Sequence, residues 1–118
     1  MNIAYAVVAV IYSLVLVMSV RMKLVRDPRA IEVIGDVVGV PLRLFPLLAA
    51  LELAGAAGLL VGVEVEAVGV AAGVGLVGYF LGATASHIRA RDFVPEHIFP
   101  ALVLLAVSAA ALALGLAA

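Results

Sequence analysis

The chain has 118 residues, of which 67% are hydrophobic and 13% charged, with a formal net charge of −1 and a mean hydropathy of +1.33. A soluble domain carries roughly 45–50% apolar and about 25% charged residues, and a globule of this length cannot bury such an excess, so an ordinary soluble domain is excluded, as is nucleic-acid binding driven by a basic surplus. Cysteine is absent, which removes disulfides, thiolate metal sites, iron–sulfur clusters and any CxxC relay within the chain.

Read in chain order, four apolar runs reach the roughly 17–25 residues that a spanning helix needs. The amino terminus lacks the basic region of a secretory signal, so the first run, Ile3 to Val20, is expected to remain as a helix. It ends at Arg21, Lys23 and Arg26. Asp27 to Pro41 is of another kind. Asp27 is a good N-cap with Pro28 at the first helical position, and Gly39 and Pro41 supply the stop. Ile31, Ile34, Val37 and Val38 fall on one face and Arg29, Glu32 and Asp36 on the other. The pattern predicts a short amphipathic helix over 28–38 lying in the membrane interface.

The second run, Leu42 to Val63, carries one ionisable residue, Glu52. Glu64 and Glu66 then interrupt the apolar sequence, predicting a tight hairpin into the third run, Val65 to Ile88. That run ends at His87, Arg89, Arg91 and Asp92, and the fourth, Ile98 to Leu116, is uncharged. The expected fold is therefore all-α, a transmembrane four-helix bundle with an interfacial amphipathic helix after the first span, forming a single domain over 1–118. All seven basic residues lie in the first and third connections, so the positive-inside rule places those connections in the cytoplasm and both termini outside.

Helix contacts in lipid favour small residues. Leu51, Gly55, Gly58 and Gly62 form one stripe, and Ala71, Gly75, Gly78 and Gly82 another with the same spacing. The two are expected to meet across the hairpin, a ligand groove being the other reading.

Glu52 lies about ten residues, roughly 15 Å, from the start of its run, near the bilayer midplane, where a carboxylate usually faces a cavity or a partner. Tyr12, Ser13, Gly78, Tyr79 and Ser108 fall at the same depth. Two readings follow: a small pocket in which Glu52 binds or protonates a ligand, or a protonated Glu52 joining helices through hydroxyl groups. A second cluster gathers His87, Arg89 and Arg91 near Lys23 and Arg43, suited to an anionic head or to proton donation, or simply to anchoring. Glu52 and His87 are thus the candidate acid–base residues. Tyr12, Ser13, Tyr79, Ser108, Lys23, Arg89 and Arg91 are the candidate ligand contacts. No metal-site spacing, GxSxG or phosphate loop is present, and neither metal, haem nor another cofactor is expected.

With these residues located, the chain resembles the DoxX-like family of small four-helix membrane proteins over nearly its whole length. The likeness rests on Arg21-Met22-Lys23-Leu24-Val25-Arg26-Asp27-Pro28, on Leu51-Glu52-Leu53-Ala54-Gly55-Ala56-Ala57-Gly58, and on Gly82-Ala83-Thr84-Ala85-Ser86-His87-Ile88-Arg89-Ala90-Arg91-Asp92. The resemblance implies a four-helix bundle in a bacterial inner membrane, associated with redox or stress-defence partners. The family is named for similarity to a small subunit of an archaeal quinol oxidase and thiosulfate:quinone oxidoreductase. The missing cysteines separate this chain from direct sulfur oxidation. A likeness to the EXPERA group of sterol-binding and isomerase proteins is architectural only. Three functions stand open at this point. One is an accessory protein binding a hydrophobic small molecule of quinone or isoprenoid type. Another is an enzyme doing acid–base isomerisation or epoxide-type chemistry through Glu52. The third is an anchor for an oxidoreductase complex. The expected partners are the bilayer, such a ligand, and a second copy or an oxidoreductase; nucleic acid is not among them.

Overall fold

The computed structural model describes residues 3–117. Its spanning helices are α1 (Ile3–Leu24), α3 (Phe45–Val61), α4 (Glu66–Arg89) and α5 (Pro95–Ala117), and no strand occurs among the described residues. A single 3₁₀ turn, Leu42–Leu44, leads into α3, with Pro46 in its first turn. The short α2 (Pro28–Ala30) opens the connector between α1 and α3. Neighbouring spans run antiparallel: α1 packs on α3, α3 on α4, α4 on α5, and α5 closes the ring against α1. The molecule measures 41 × 25 × 18 Å, its long axis close to the roughly 40–45 Å of a bilayer with its headgroups.

Lipid is the solvent these helices require. Only 22–33% of each span's most apolar window is buried inside the bundle, so most of every helix turns Val, Leu and Ile outward. Backbone groups cannot be left unpaired in hydrocarbon, and continuous helices satisfy them internally. The chain is a multi-pass membrane protein.

The interior is narrow and built on one stripe of α1: Tyr5, Ala9, Tyr12, Leu16, Val20 and Lys23 recur at three- and four-residue steps and are all buried. Tyr5 donates to the carbonyl of Leu59 at 2.9 Å. Against this stripe pack Ala56 and Leu59 of α3, Leu76 and Phe80 of α4 and Ala111 of α5.

The basic ends of α1 and α4 finish alike. Arg26 and Arg91 adopt left-handed conformations (φ 54° each), while Asp27 and Asp92 donate their N–H groups back to Met22 and His87 at 2.9 and 2.8 Å. This is the Schellman cap, with arginine where glycine is usual.

The connector departs from expectation. After α2 the chain widens into a π-helix, Ile31–Val37. The run is dense in β-branched residues, which crowd an α-helical turn. Its wider turn brings Val33 in beside Ile34 and Val38 and leaves Val37 exposed, so the apolar face matches a 3.6-residue period only in part. Gly39 (φ 89°) then turns the chain toward α3.

The glycine stripes also pair differently. A Cβ on Gly58 would lie 2.7 Å from that of Ala72, and one on Gly62 would strike the Gly69 backbone and the Tyr5 hydroxyl. Gly73 meets Leu112 of α5 instead. Gly75, Gly78 and Gly82 have nothing within 4 Å and are exposed. The α3 stripe is thus used for close packing, and the expected α4 stripe is not.

Gly62→Ala should therefore destabilise the bundle by about 1–3 kcal/mol through overpacking, whereas Gly75→Ala should be neutral or stabilising by up to about 1 kcal/mol. Thermal unfolding of the two variants in detergent micelles would separate them, and equal shifts would contradict this packing.

Candidate functional site

Glu52 is the eighth residue of α3, roughly 10 Å along the helix, and is fully buried. Its Oε1 receives three donors from two helices. Lys23 of α1 pairs with it directly, Ser19 donates at 3.2 Å, and Tyr79 of α4 donates its hydroxyl at 3.1 Å. Lys23 also donates to Ser19 at 2.8 Å. The other oxygen, Oε2, is buried without a hydrogen-bond partner among the described residues. A charge in the membrane persists where it is paired and faces the protein interior, and this cluster meets both conditions.

The polar layer expected around Glu52 divides in two. Tyr79 reaches it; Tyr12, Ser13 and Ser108 do not. Ser13 donates to the carbonyl of Ala56 at 3.2 Å, one turn farther from the basic end. Tyr12 and Ser108 lie 2.5 Å apart, and both donate to the Leu104 carbonyl, at 3.0 and 2.7 Å. They tie α1 to α5. Glu52 accordingly stands within reach of a lysine at the end of α1.

Lys23 was expected beside His87 as part of a headgroup cluster, yet it turns inward. The signal was its phase: Lys23 continues the buried stripe of α1 and stands one helical turn after Ser19, whereas Arg21 and Arg26 fall on exposed faces.

A second buried cluster joins α4 to α5. His87, in the last turn of α4, places Nδ1 2.9 Å from Oδ2 of Asp92. His97, in the first turn of α5, places Nδ1 3.0 Å from both carboxylate oxygens. Burial raises the Asp92 pKa, but the hydrogen bonds from His87 and His97, the charge of His97 and a backbone bond at Val94 outweigh it and hold the carboxyl below its ordinary value. His87-x₄-Asp92-x₄-His97 is a symmetric spacing that the sequence displays, and the bridging role of Asp92 emerges only from the fold. Arg89 and Arg91 are exposed. Among the described residues no group of three or more His, Asp or Glu side chains is arranged to hold a metal ion.

Between the two clusters lies a cavity of about 560 Å³. Its lining takes in Ser19, Met22 and Lys23 of α1, Pro100, Ala101 and Leu104 of α5, and the connector. Ala30, Val33, Ile34, Val38 and Val40 form the connector's side. Gly78, Gly82 and Ala83 form the α4 wall, so the glycines left unpacked between helices make room here. Lys23, Tyr79, His87 and His97 line it, as do Ser19, Arg29 and Glu96. Glu52, Tyr12, Ser13, Ser108, Arg89 and Arg91 do not line it. A smaller groove between α3 and α4 runs past Gly55, Gly75 and Tyr79.

Two expectations follow from these geometries. Removing one partner of a buried ion pair strands the other, at about 3–5 kcal/mol. Lys23→Met and Glu52→Met should each lose about that much, while Lys23→Met/Glu52→Met should lose far less than the sum. Strictly additive losses in micelle unfolding would show that the pair is uncoupled. Because the folded Asp92 carboxyl titrates below its unfolded value, its contribution is complete above about pH 4 and vanishes as pH falls through the folded value. The stability gap between wild type and Asp92→Asn should thus narrow on acidification, and a gap that widens would reverse the assignment.

Comparison with known proteins gives the same frame. No curated protein and no solved structure matches the chain. The family model described as the DoxX-like family matches residues 7–111, taking in Lys23, Glu52, Tyr79, His87, Asp92 and His97, and the chain belongs to that family.

Proposed function

We propose that this protein binds a hydrophobic small molecule of quinone or isoprenoid type in the cavity beneath the connector, and that it serves membrane redox or lipid metabolism as an accessory. The observation carrying this reading is the cavity itself. Its volume falls within the roughly 300–1,000 Å³ of small-molecule sites, and such sites are mostly apolar with a few placed polar groups. Here the apolar part comes from the connector and α4, and the polar groups from Lys23, Tyr79, His87 and His97. A lipophilic molecule would enter from the bilayer and rest its polar head among these side chains. The basic end would face the cytoplasm of a bacterial inner membrane.

One observation favours a second reading, acid–base chemistry on a lipophilic substrate. Tyr79 and Lys23 both touch Glu52 and line the cavity. In that reading the Tyr79 hydroxyl meets the substrate and Glu52 acts behind it as a positioning residue.

Native mass spectrometry of gently extracted protein tests the binding reading. Wild type should carry a lipophilic ligand, and Gly82→Trp, which places a large ring where Gly82 leaves open space, should lose it. Gly78→Phe serves if the first variant fails to fold. An empty wild type, or equal occupancy in wild type and variant, would remove the proposal.

A further inference from the structure

We infer that the cavity selects a ligand whose head donates a hydrogen bond, a lipophilic alcohol or phenol, and that His87 and His97 are its acceptors. The inference rests on the binding reading above and narrows it: of quinone-type and isoprenoid molecules it admits the quinol and the free alcohol, not the oxidised quinone. An ionised carboxylate can only accept hydrogen bonds, and Asp92 is held ionised by its surroundings. Both imidazoles therefore turn an Nδ1–H toward it. In neutral imidazole the tautomer is set by the bond the other nitrogen makes, so at a pH where the rings carry no charge both Nε2 atoms hold lone pairs. Neither Nε2 has a hydrogen-bond partner among the described residues, nor is either sealed from solvent as an unpaired buried atom. Both residues line the cavity.

This wall of the cavity is thus rich in acceptors: two imidazole nitrogens and, beside them, Glu96. The charged donors lining the cavity come from other elements. Lys23 is engaged by Glu52 and Ser19, and Arg29 is exposed on the connector. A hydroxyl head satisfies an acceptor wall. An ether or a bare carbonyl leaves its lone pairs facing those of nitrogen, and unmatched polar groups in a dry site are what reject the wrong ligand.

The probes are para-octylphenol and its methyl ether, titrated calorimetrically into the protein in lipid nanodiscs at about pH 8, where free imidazole is neutral. Wild type should prefer the phenol by about tenfold, the worth of a good hydrogen bond. His87→Phe and His97→Phe, which keep an aromatic ring and remove the acceptor, should each shrink the preference. Asp92→Asn keeps both rings but offers an amide N–H₂ to one of them, turning it to the Nε2–H form; the preference should shrink here too. A purely structural Asp92 would weaken both probes alike and leave their ratio unchanged. Equal binding of phenol and ether to wild type would overturn the hydroxyl selection while leaving the cavity reading intact. Binding of neither probe would overturn both.

Discussion

The pairing of Lys23 with Glu52 organises the basic half of this molecule. A lone carboxylate or ammonium inside hydrocarbon is costly enough to bend helices or draw in water. Each group is tolerated because the other is present. The consequence is geometric: the end of α1 is drawn against α3 at one depth, and Tyr79 adds α4 to the same oxygen. Three helices are thereby clamped together and the fourth is not. At this end α5 is fastened through His97 and Asp92 to α4, while its contact with α1 is made farther along, at Tyr12 and Ser108. The cavity occupies the gap that this arrangement leaves.

Glycine placement follows the same division. Near the α3–α4 hairpin, Gly58, Gly62 and Gly69 let backbones approach, and Tyr5 uses that closeness to reach the Leu59 carbonyl. Toward the basic end, Gly78 and Gly82 have no neighbour that a side chain would displace. Their smallness serves the volume of the cavity. One residue type thus closes one end of the bundle and hollows the other, and the difference lies in what stands opposite.

The helices were legible because their information is local. Run length, charge distribution and the break at Glu64 and Glu66 place four spans with no knowledge of contacts, and Asp27 and Pro28 mark the connector's start. Partnerships across helices were harder to read. Depth counted from span ends puts Tyr12, Ser13 and Ser108 level with Glu52, because it assumes that each helix begins at the same plane. In the structure it is Ser19 and Lys23 of α1, not Tyr12 or Ser13, that stand opposite Glu52. The connector's π-helical period, which turns Val33 inward and Val37 outward, has no signature in a 3.6-residue pattern. Lys23 was visible by its phase on α1, but the expectation that basic residues mark the interface concealed it.

The two polar clusters also differ in kind, which bears on how the site works. Glu52 gathers three donors on one oxygen and is shut away behind the side chains that reach it. Asp92 does the reverse: it spreads its two oxygens over two imidazoles that stand between it and the cavity. In the first cluster the acid fixes the positions of a lysine and a tyrosine; in the second it fixes the tautomers of two histidines. Neither carboxylate lines the cavity. Both act through the residues they hold, one presenting an ammonium and a phenol to the cavity and the other presenting ring nitrogens. The cavity is thus bordered by a lysine and a tyrosine held by one carboxylate and by two imidazoles held by the other.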